Sequence, residues 1–176
     1  PVLSGMTTVL HPSPLDKKRI PALIARTGAN VLVSTDTFAR LYARAADEGA
    51  LAGLRFVVLG GERVSDVTRE RLAEKTGADV VEGYGVTECA PVIAVNQPDA
   101  NRPGTVGRLL PGVEIRLDEV PDIETGRRLM VRGPNVMLGY LDPEGDGEVA
   151  PRGTDWFDTG DLARSEEHTS ELQSHA

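Results

Sequence analysis

Six consecutive residues near the middle of the chain, Gly83-Tyr84-Gly85-Val86-Thr87-Glu88, carry groups able to act on one ligand. They follow the apolar run Val80-Val81-Glu82 and precede Cys89-Ala90-Pro91. Gly83 and Gly85 open positive φ to the backbone and remove Cβ bulk where a ligand would approach. Tyr84 offers a π-face to a base, Thr87 a hydroxyl donor to a phosphate oxygen, and Glu88 the hard anionic oxygen that Mg²⁺ prefers. A strand ending in such a turn delivers ring, hydroxyl and carboxylate to one point at its carboxyl end, where ligands of open α/β sheets bind. The same six residues equally describe a strand and a Gly-Tyr-Gly turn whose polar side chains face water, and both readings stand on these residues alone.

Other chemistry-bearing residues divide unevenly. Leu59-Gly60-Gly61-Glu62 is a strand, a glycine turn and a helix start, a pattern that serves many folds without a ligand. Asp158-Thr159-Gly160-Asp161 reads as a turn that points carboxylates outward, with Asp158 as its capping residue. Trp156 and Phe157, an apolar pair entering that turn, read as core. Cys89 follows Glu88, but a thiol nucleophile needs a base. The one histidine outside the last thirteen residues is His11, in a proline-rich turn, so Cys89 reads instead as a small, partly buried side chain beside Val86 and Pro91.

Gly83 to Glu88 resembles the Tyr-Gly-x-Thr-Glu motif of the AMP-forming acyl-adenylate superfamily, which includes acyl-CoA synthetases, acyl-ACP synthetases and peptide-synthetase adenylation domains. Leu59 to Glu62 upstream, Gly126 to Tyr140 between, and Trp156 to Leu162 downstream are similar to further segments of that family, in the same order. The resemblance covers roughly residues 1 to 163. His11-Pro12-Ser13-Pro14-Leu15-Asp16 and Glu82 to Pro91 bring it nearest the long-chain fatty-acid branch, and within it the acyl-ACP synthetase half of bifunctional acyltransferase/acyl-ACP synthetase proteins. It implies ATP and Mg²⁺ as cofactors, a fatty acid as substrate, and the thiol of acyl-carrier protein or CoA as acceptor. Gly60, Gly61, Glu62, Glu82, Gly83, Tyr84, Gly85, Thr87 and Asp161 would then bind the nucleotide, with Tyr84 stacked on adenine and Asp161 on the ribose hydroxyls. Thr87 and Glu88 would be catalytic, at the α-phosphate and the metal, and Val86 and Cys89 would line the acyl pocket. No stretch resembles the family's Ser/Thr/Gly-rich phosphate loop or its lid lysine, which implies that this piece alone does not adenylate.

The elements that position these residues are legible from periodicity. Thr7 to Leu10 reads as a short strand. Asp16 reads as an N-cap before a helix that carries Ile20, Leu23 and Ile24, is kinked by Pro21 and ends at Gly28. Asn30 to Ser34 reads as a buried strand, and a helix with Phe38, Leu41, Tyr42 and Ala45 on one face runs to Gly49. Leu54 to Leu59 is a strand, Ser65 caps a helix reaching Lys75, Gly77 closes it, and Asp79 to Glu82 is the central strand. The alternation predicts an α/β fold, a mainly parallel sheet with flanking helices, with the turns after residues 59 and 82 on one edge. From Pro103 the texture changes to short strands, Thr105 to Arg108, Val113 to Leu117 and Leu129 to Arg132. These predict a smaller antiparallel β barrel-like subdomain, followed by an exposed loop from Asp142 to Gly153. The expected partition is 1–102, 103–163, and a tail at 164–176 whose abrupt loss of apolar periodicity suggests an adapter-derived artefact.

Composition narrows the classes. With 176 residues, 40% hydrophobic and 26% charged, the chain supports a real core. A net charge of −8 argues against a nucleic-acid surface. No run approaches a membrane span, so the expectation is a cytoplasmic protein whose parent touches membrane only through other parts. One cysteine leaves no internal disulfide.

Overall fold

The computed structural model describes residues 2–142, 144–145, 147–151, 153, 155–165 and 172–175. The chain divides into two compact units, Pro1–Val81 and Glu82–Ala176.

In the first unit, helices alternate with strands in the order α1 (Arg19–Thr27), β1 (Val31–Ser34), α2 (Asp36–Ala45), β2 (Phe56–Leu59) and α3 (Asp66–Thr76). Local chemistry sets most boundaries. Gly28 and Gly77 close α1 and α3 in the left-handed conformation, at φ 65° and 66°. The Ser65 hydroxyl accepts from the Thr68 amide at 3.3 Å and caps α3. Asp16 does not cap α1; Lys18 holds that position, and Asp16 takes a 2.7 Å contact from His11 instead. Pro21 sits in the first turn of α1, where backbone N–H groups have no partner inside the helix, and its ring is buried.

β1 and β2 pair in parallel, Val31 with Phe56 through Ser34 with Leu59. The core gathers Ile24, Ala39, Ala43, Leu51, Leu54, Val57, Leu59, Val64, Leu72 and Val80. The buried stripe of α2 is Ala39, Tyr42 and Ala43, rotated from the predicted Phe38, Leu41 and Ala45, because Asp36 turns inward at its start. Asp36 is buried, and its carboxylate accepts from the Ser65 amide at 2.9 Å and from the Ser65 hydroxyl at 3.2 Å. A buried carboxylate needs such donors, and here they tie the start of α2 to the cap of α3. Leu72 is the fully buried apolar anchor of α3, contributing about 1.5–3 kcal/mol. Two sequence expectations fail. Residues 7–10 form no strand and are exposed throughout, having no ladder partner among the described residues. β1 is covered on one side only, with Val33 75% exposed.

β3 (Asp79–Gly85) crosses the division between the units, running three residues beyond the predicted end of the central strand. It pairs antiparallel with β4 (Val92–Val95), which pairs antiparallel with β5 (Arg108–Leu109). The α/β class holds, but strand pairing is mixed rather than mainly parallel. The six residues linking β3 to β4 allow only an antiparallel return. Buried Asn96 organises the connection to β5, donating to the Thr105 carbonyl at 2.6 Å and accepting from the Arg102 amide at 3.1 Å.

A second antiparallel sheet has the order β11-β10-β7-β6, from β6 (Glu114–Asp118), β7 (Arg127–Arg132), β10 (Phe157–Ser165) and β11 (Leu172–His175). Strands β8 (Gly139–Leu141) and β9 (Val149–Pro151) form a separate hairpin, β8 just before the predicted loop of residues 142–153 and β9 within it. These sheets are open among the described residues, not closed into a barrel. Of the suspected tail, residues 166–171 and 176 lie outside the described residues, and β11 pairs with Leu162–Ser165 of β10. Period-2 alternation is clear on β7, where Leu129 and Val131 are fully buried and Arg128, Met130 and Arg132 turn away. They join Tyr84, Cys89, Ile93, Ala94, Val113, Val136 and Ala163 in the core of the unit, with Phe157 packed against it. Trp156 lies outside that core, between the Arg116 and Arg132 guanidiniums at 4.9 and 4.7 Å from its ring centre. No helix among the described residues is long and apolar enough to cross a membrane.

Candidate functional site

The second unit brings together residues that are far apart in sequence. Along β10 the register with β7 shifts between Asp158 and Leu162, and Gly160 takes φ 78°. The Asp158 carboxylate accepts from the Gly160 amide at 2.9 Å, the turn-capping role expected of it. Thr159 donates to the Leu129 carbonyl at 2.9 Å and accepts from the Asp161 amide at 3.1 Å. This bulge, rather than a free turn, aims Asp161 inward at Tyr84, whose hydroxyl donates to it at 2.6 Å across 77 residues. Burial of Tyr84, and next its bond to the Asp161 carboxylate, push the phenol well above the ordinary tyrosine range. Tyr84 is 9% exposed and packs in the core.

Gly83 and Gly85 keep extended backbone, so neither supplies the positive φ expected of it. Gly85 is required for a different reason: any Cβ there would overlap the Pro91 carbonyl where β3 and β4 draw together. The left-handed residue of this connection is Ala90, at φ 57°. A residue with a Cβ in that conformation stores about 1 kcal/mol.

Glu88 lies in the single 3₁₀ turn Thr87–Cys89. Its carboxylate accepts from the Tyr140 hydroxyl at 2.8 Å, and its carbonyl from the Met137 amide at 2.7 Å. Asn135 donates to the carbonyls of Cys89 and Val92 at 2.8 and 3.0 Å. The carboxyl of Glu88 is held below its ordinary range, first by its own backbone amide and then by Tyr140. Thr87 is exposed, Val86 half-buried. Cys89 is fully buried in the core, which corrects its reading as a partly buried pocket wall: the turn folds its side chain inward against Tyr84 and Ile93. Glu82 is buried as well, and its carbonyl accepts from the Asn96 amide at 2.8 Å.

In the first unit, Gly60 and Gly61 follow β2, and Gly61 takes φ 78°. Glu62 is occupied. Its carboxylate accepts from the Thr37 amide at 3.0 Å and hydroxyl at 2.7 Å, serving as a cap for the first turn of α2. The Thr37 hydroxyl, above all, keeps its carboxyl below the ordinary range.

No cluster of three or more His, Cys, Asp or Glu fit to hold a metal occurs among the described residues. A lone ionised carboxylate such as Glu88 still suits Mg²⁺, which commonly takes one or two protein carboxylates and completes its shell from phosphates and water. Periodicity and motif spacing missed Tyr140, Asn135 and Thr159. Tyr140 stood within a segment already marked, but nothing local to it names Glu88 as its partner.

The chain brings a strand-end tyrosine onto an aspartate and buttresses a half-buried glutamate from a distant segment. It belongs to the AMP-binding enzyme family, whose model matches residues 1–141. It is similar to a long-chain-fatty-acid–CoA ligase of Escherichia coli O6:H1, 41% identical over 115 residues that cover 61% of this chain and 20% of the ligase. It is also similar to the p-hydroxybenzoic acid–AMP ligase FadD22 of Mycobacterium tuberculosis, 34% identical over 167 residues that cover 92% of this chain and 23% of that protein. Among solved structures, the O-succinylbenzoate Coenzyme A synthetase (MenE) of Bacillus subtilis in complex with ATP and magnesium ion aligns with a TM-score of 0.77 at 26% identity, covering 98% of this chain and 36% of that one. The chain thus spans 20% and 23% of the length of these two curated relatives.

Proposed function

We propose that this chain is part of an ATP-dependent ligase that activates a fatty acid as acyl-AMP and passes the acyl group to the thiol of CoA or acyl-carrier protein. The observation that carries this reading is the bond from Tyr84 to Asp161. Tyr84 occupies one acceptor position of that carboxylate and fixes its direction, so a pair of hydroxyls, as on a ribose, meets a pre-oriented acceptor. In the first half-reaction a carboxylate oxygen attacks the α-phosphorus and the bond to the β-phosphate bridging oxygen breaks, releasing pyrophosphate. In the second, a thiolate attacks the acyl carbon and AMP leaves.

Thr87 donates to the α-phosphate, and Glu88 holds Mg²⁺, which when bound neutralises charge on the phosphate oxygens. Gly60 and Gly61 in the first unit, and Gly83 and Gly85 in the second, present backbone to the nucleotide. Glu62 acts there through its cap on α2, Glu82 from beneath the strand, and Val86 borders the acyl chain. Residues 1–163 supply the adenine, ribose and metal contacts, while the triphosphate clamp and the lid lysine belong to other parts of the complete protein, so this piece alone does not turn over.

Likeness to a p-hydroxybenzoic acid–AMP ligase over 92% of the chain favours a second reading in which the acid is aromatic. Carboxylate-dependent pyrophosphate exchange by the complete protein separates the two. Exchange with a long-chain fatty acid, abolished in Glu88→Ala while the fold persists, is the expected result. Exchange with p-hydroxybenzoate and no fatty acid removes the lipid assignment, and exchange with no acid reduces the domain to a nucleotide-binding module.

A further inference from the structure

The turn that carries Glu88 is gripped from one continuous segment, residues 135–140. Asn135 takes the carbonyls of Cys89 and Val92 at 2.8 and 3.0 Å, and the Met137 amide takes that of Glu88 at 2.7 Å. Between them, Val136 is buried in the core and anchors the segment. Three main-chain acceptors therefore fix where the turn sits, but none of them fixes the side chain of Glu88. That falls to the residue's own backbone amide and to Tyr140, whose hydroxyl donates to the carboxylate at 2.8 Å across 52 residues.

Tyr140 is 60% exposed, and its neighbours Leu138 and Leu141 are exposed too, so burial does not account for an aromatic residue here. Its backbone is nevertheless tightly set. Tyr140 pairs with Ala150 in the β8–β9 hairpin, and at the preceding Gly139 a Cβ would overlap the Ala150 carbonyl. A stiff strand presenting one hydroxyl to one carboxylate restricts the rotamers of a glutamate that would otherwise swing in water.

We infer that Tyr140 is a positioning residue: from the β8–β9 hairpin it holds the Glu88 carboxylate in the orientation in which it binds the divalent cation that accompanies the nucleotide. This rests on the metal role proposed for Glu88. The hydroxyl engages one carboxylate oxygen, and monodentate coordination needs only the other. Groups that orient a metal-binding side chain commonly change metal affinity by about 10- to 100-fold when removed.

The test measures binding, not turnover. The affinity of the complete protein for α,β-methylene-ATP is measured by calorimetry with saturating Mg²⁺ and again in EDTA, and the ratio is the magnesium-dependent gain. Tyr140→Phe lowers that gain about 10-fold and leaves the EDTA affinity unchanged. Tyr140→Trp, which keeps an aromatic side chain on the hairpin but has no hydroxyl, does the same, and both melt within a degree or two of the parent. In Glu88→Gln the gain falls, and adding Tyr140→Phe lowers it no further. A wild-type gain in Tyr140→Phe or Tyr140→Trp, or an additive double variant, overturns the role of Tyr140 while leaving that of Glu88 in place. A wild-type gain in Glu88→Gln overturns both.

Discussion

Each compact unit carries a strand that runs into glycines and a glutamate, and the two turns use the same residue types for opposite ends. In Gly60-Gly61-Glu62 every feature is consumed locally: Gly61 supplies a left-handed turn, and Glu62 caps the neighbouring helix through Thr37. In Gly83 to Glu88 the glycines are extended, Gly85 yields room to a crossing backbone, and Tyr84 and Glu88 are held by Asp161 and Tyr140 from far along the chain. A glutamate spent on a helix start has its stabilising work explained. A half-buried glutamate oriented by a distant exposed tyrosine does not, and that excess of positioning over stability is the reason we propose the second turn as the site.

Substitutions can break this contrast. Gly85→Ala forces a Cβ into the Pro91 carbonyl and is expected to cost about 3 kcal/mol. Gly61→Ala makes only an ordinary van der Waals contact with the Thr35 Cγ2 at 3.8 Å and bears the strain of its φ, about 1–2 kcal/mol. Urea titration of both variants checks the order, and a larger loss at Gly61 would invert the comparison.

Next in size, Tyr84→Phe removes a buried donor and leaves Asp161 without it, for about 1–2 kcal/mol. This effect has a pH signature. Because the folded phenol titrates above its unfolded value near pH 10, its contribution is complete below that pH and is lost as pH rises further. Tyr42 and Tyr140 are shifted the same way, so both proteins weaken in alkali, the parent more steeply. Parallel alkaline slopes would show that the Tyr84 phenol is neither buried nor bonded to Asp161 in solution.

The smallest effect belongs to Glu62→Gln, about 0.5–1 kcal/mol as for other lost helix caps. With the folded carboxyl below its ordinary range, this contribution is present above about pH 4.3 and fades as pH falls. Thermal melts at neutral and acid pH check it, and a variant that loses nothing at neutral pH would return Glu62 to the nucleotide.

What the sequence disclosed follows the range of the forces involved. Gly28, Ser65 and Gly77 act on backbone within a few residues of themselves, and each stands where periodicity placed it. Residues 7–10 have strand composition, but a strand also needs a neighbour to complete its hydrogen bonds, and composition does not reveal whether one exists. Gly85 answers to close approach of the neighbouring backbone, not to the positive φ expected of it. Close approach and positive φ both select glycine, and only the path of Pro91 distinguishes them. The Tyr84–Asp161 and Glu88–Tyr140 bonds join residues that no local pattern connects.

The single tryptophan gives the molecule an optical division of labour. Trp156 lies in the second unit between two guanidiniums, so its emission reports on the packing of β6 and β7 beneath it. All three α-helices among the described residues lie in the first unit, so far-ultraviolet ellipticity is dominated by that unit. Following both signals through one denaturation assigns each transition to its own half of the chain without any label, and the gap between their midpoints measures how independently the two halves unfold.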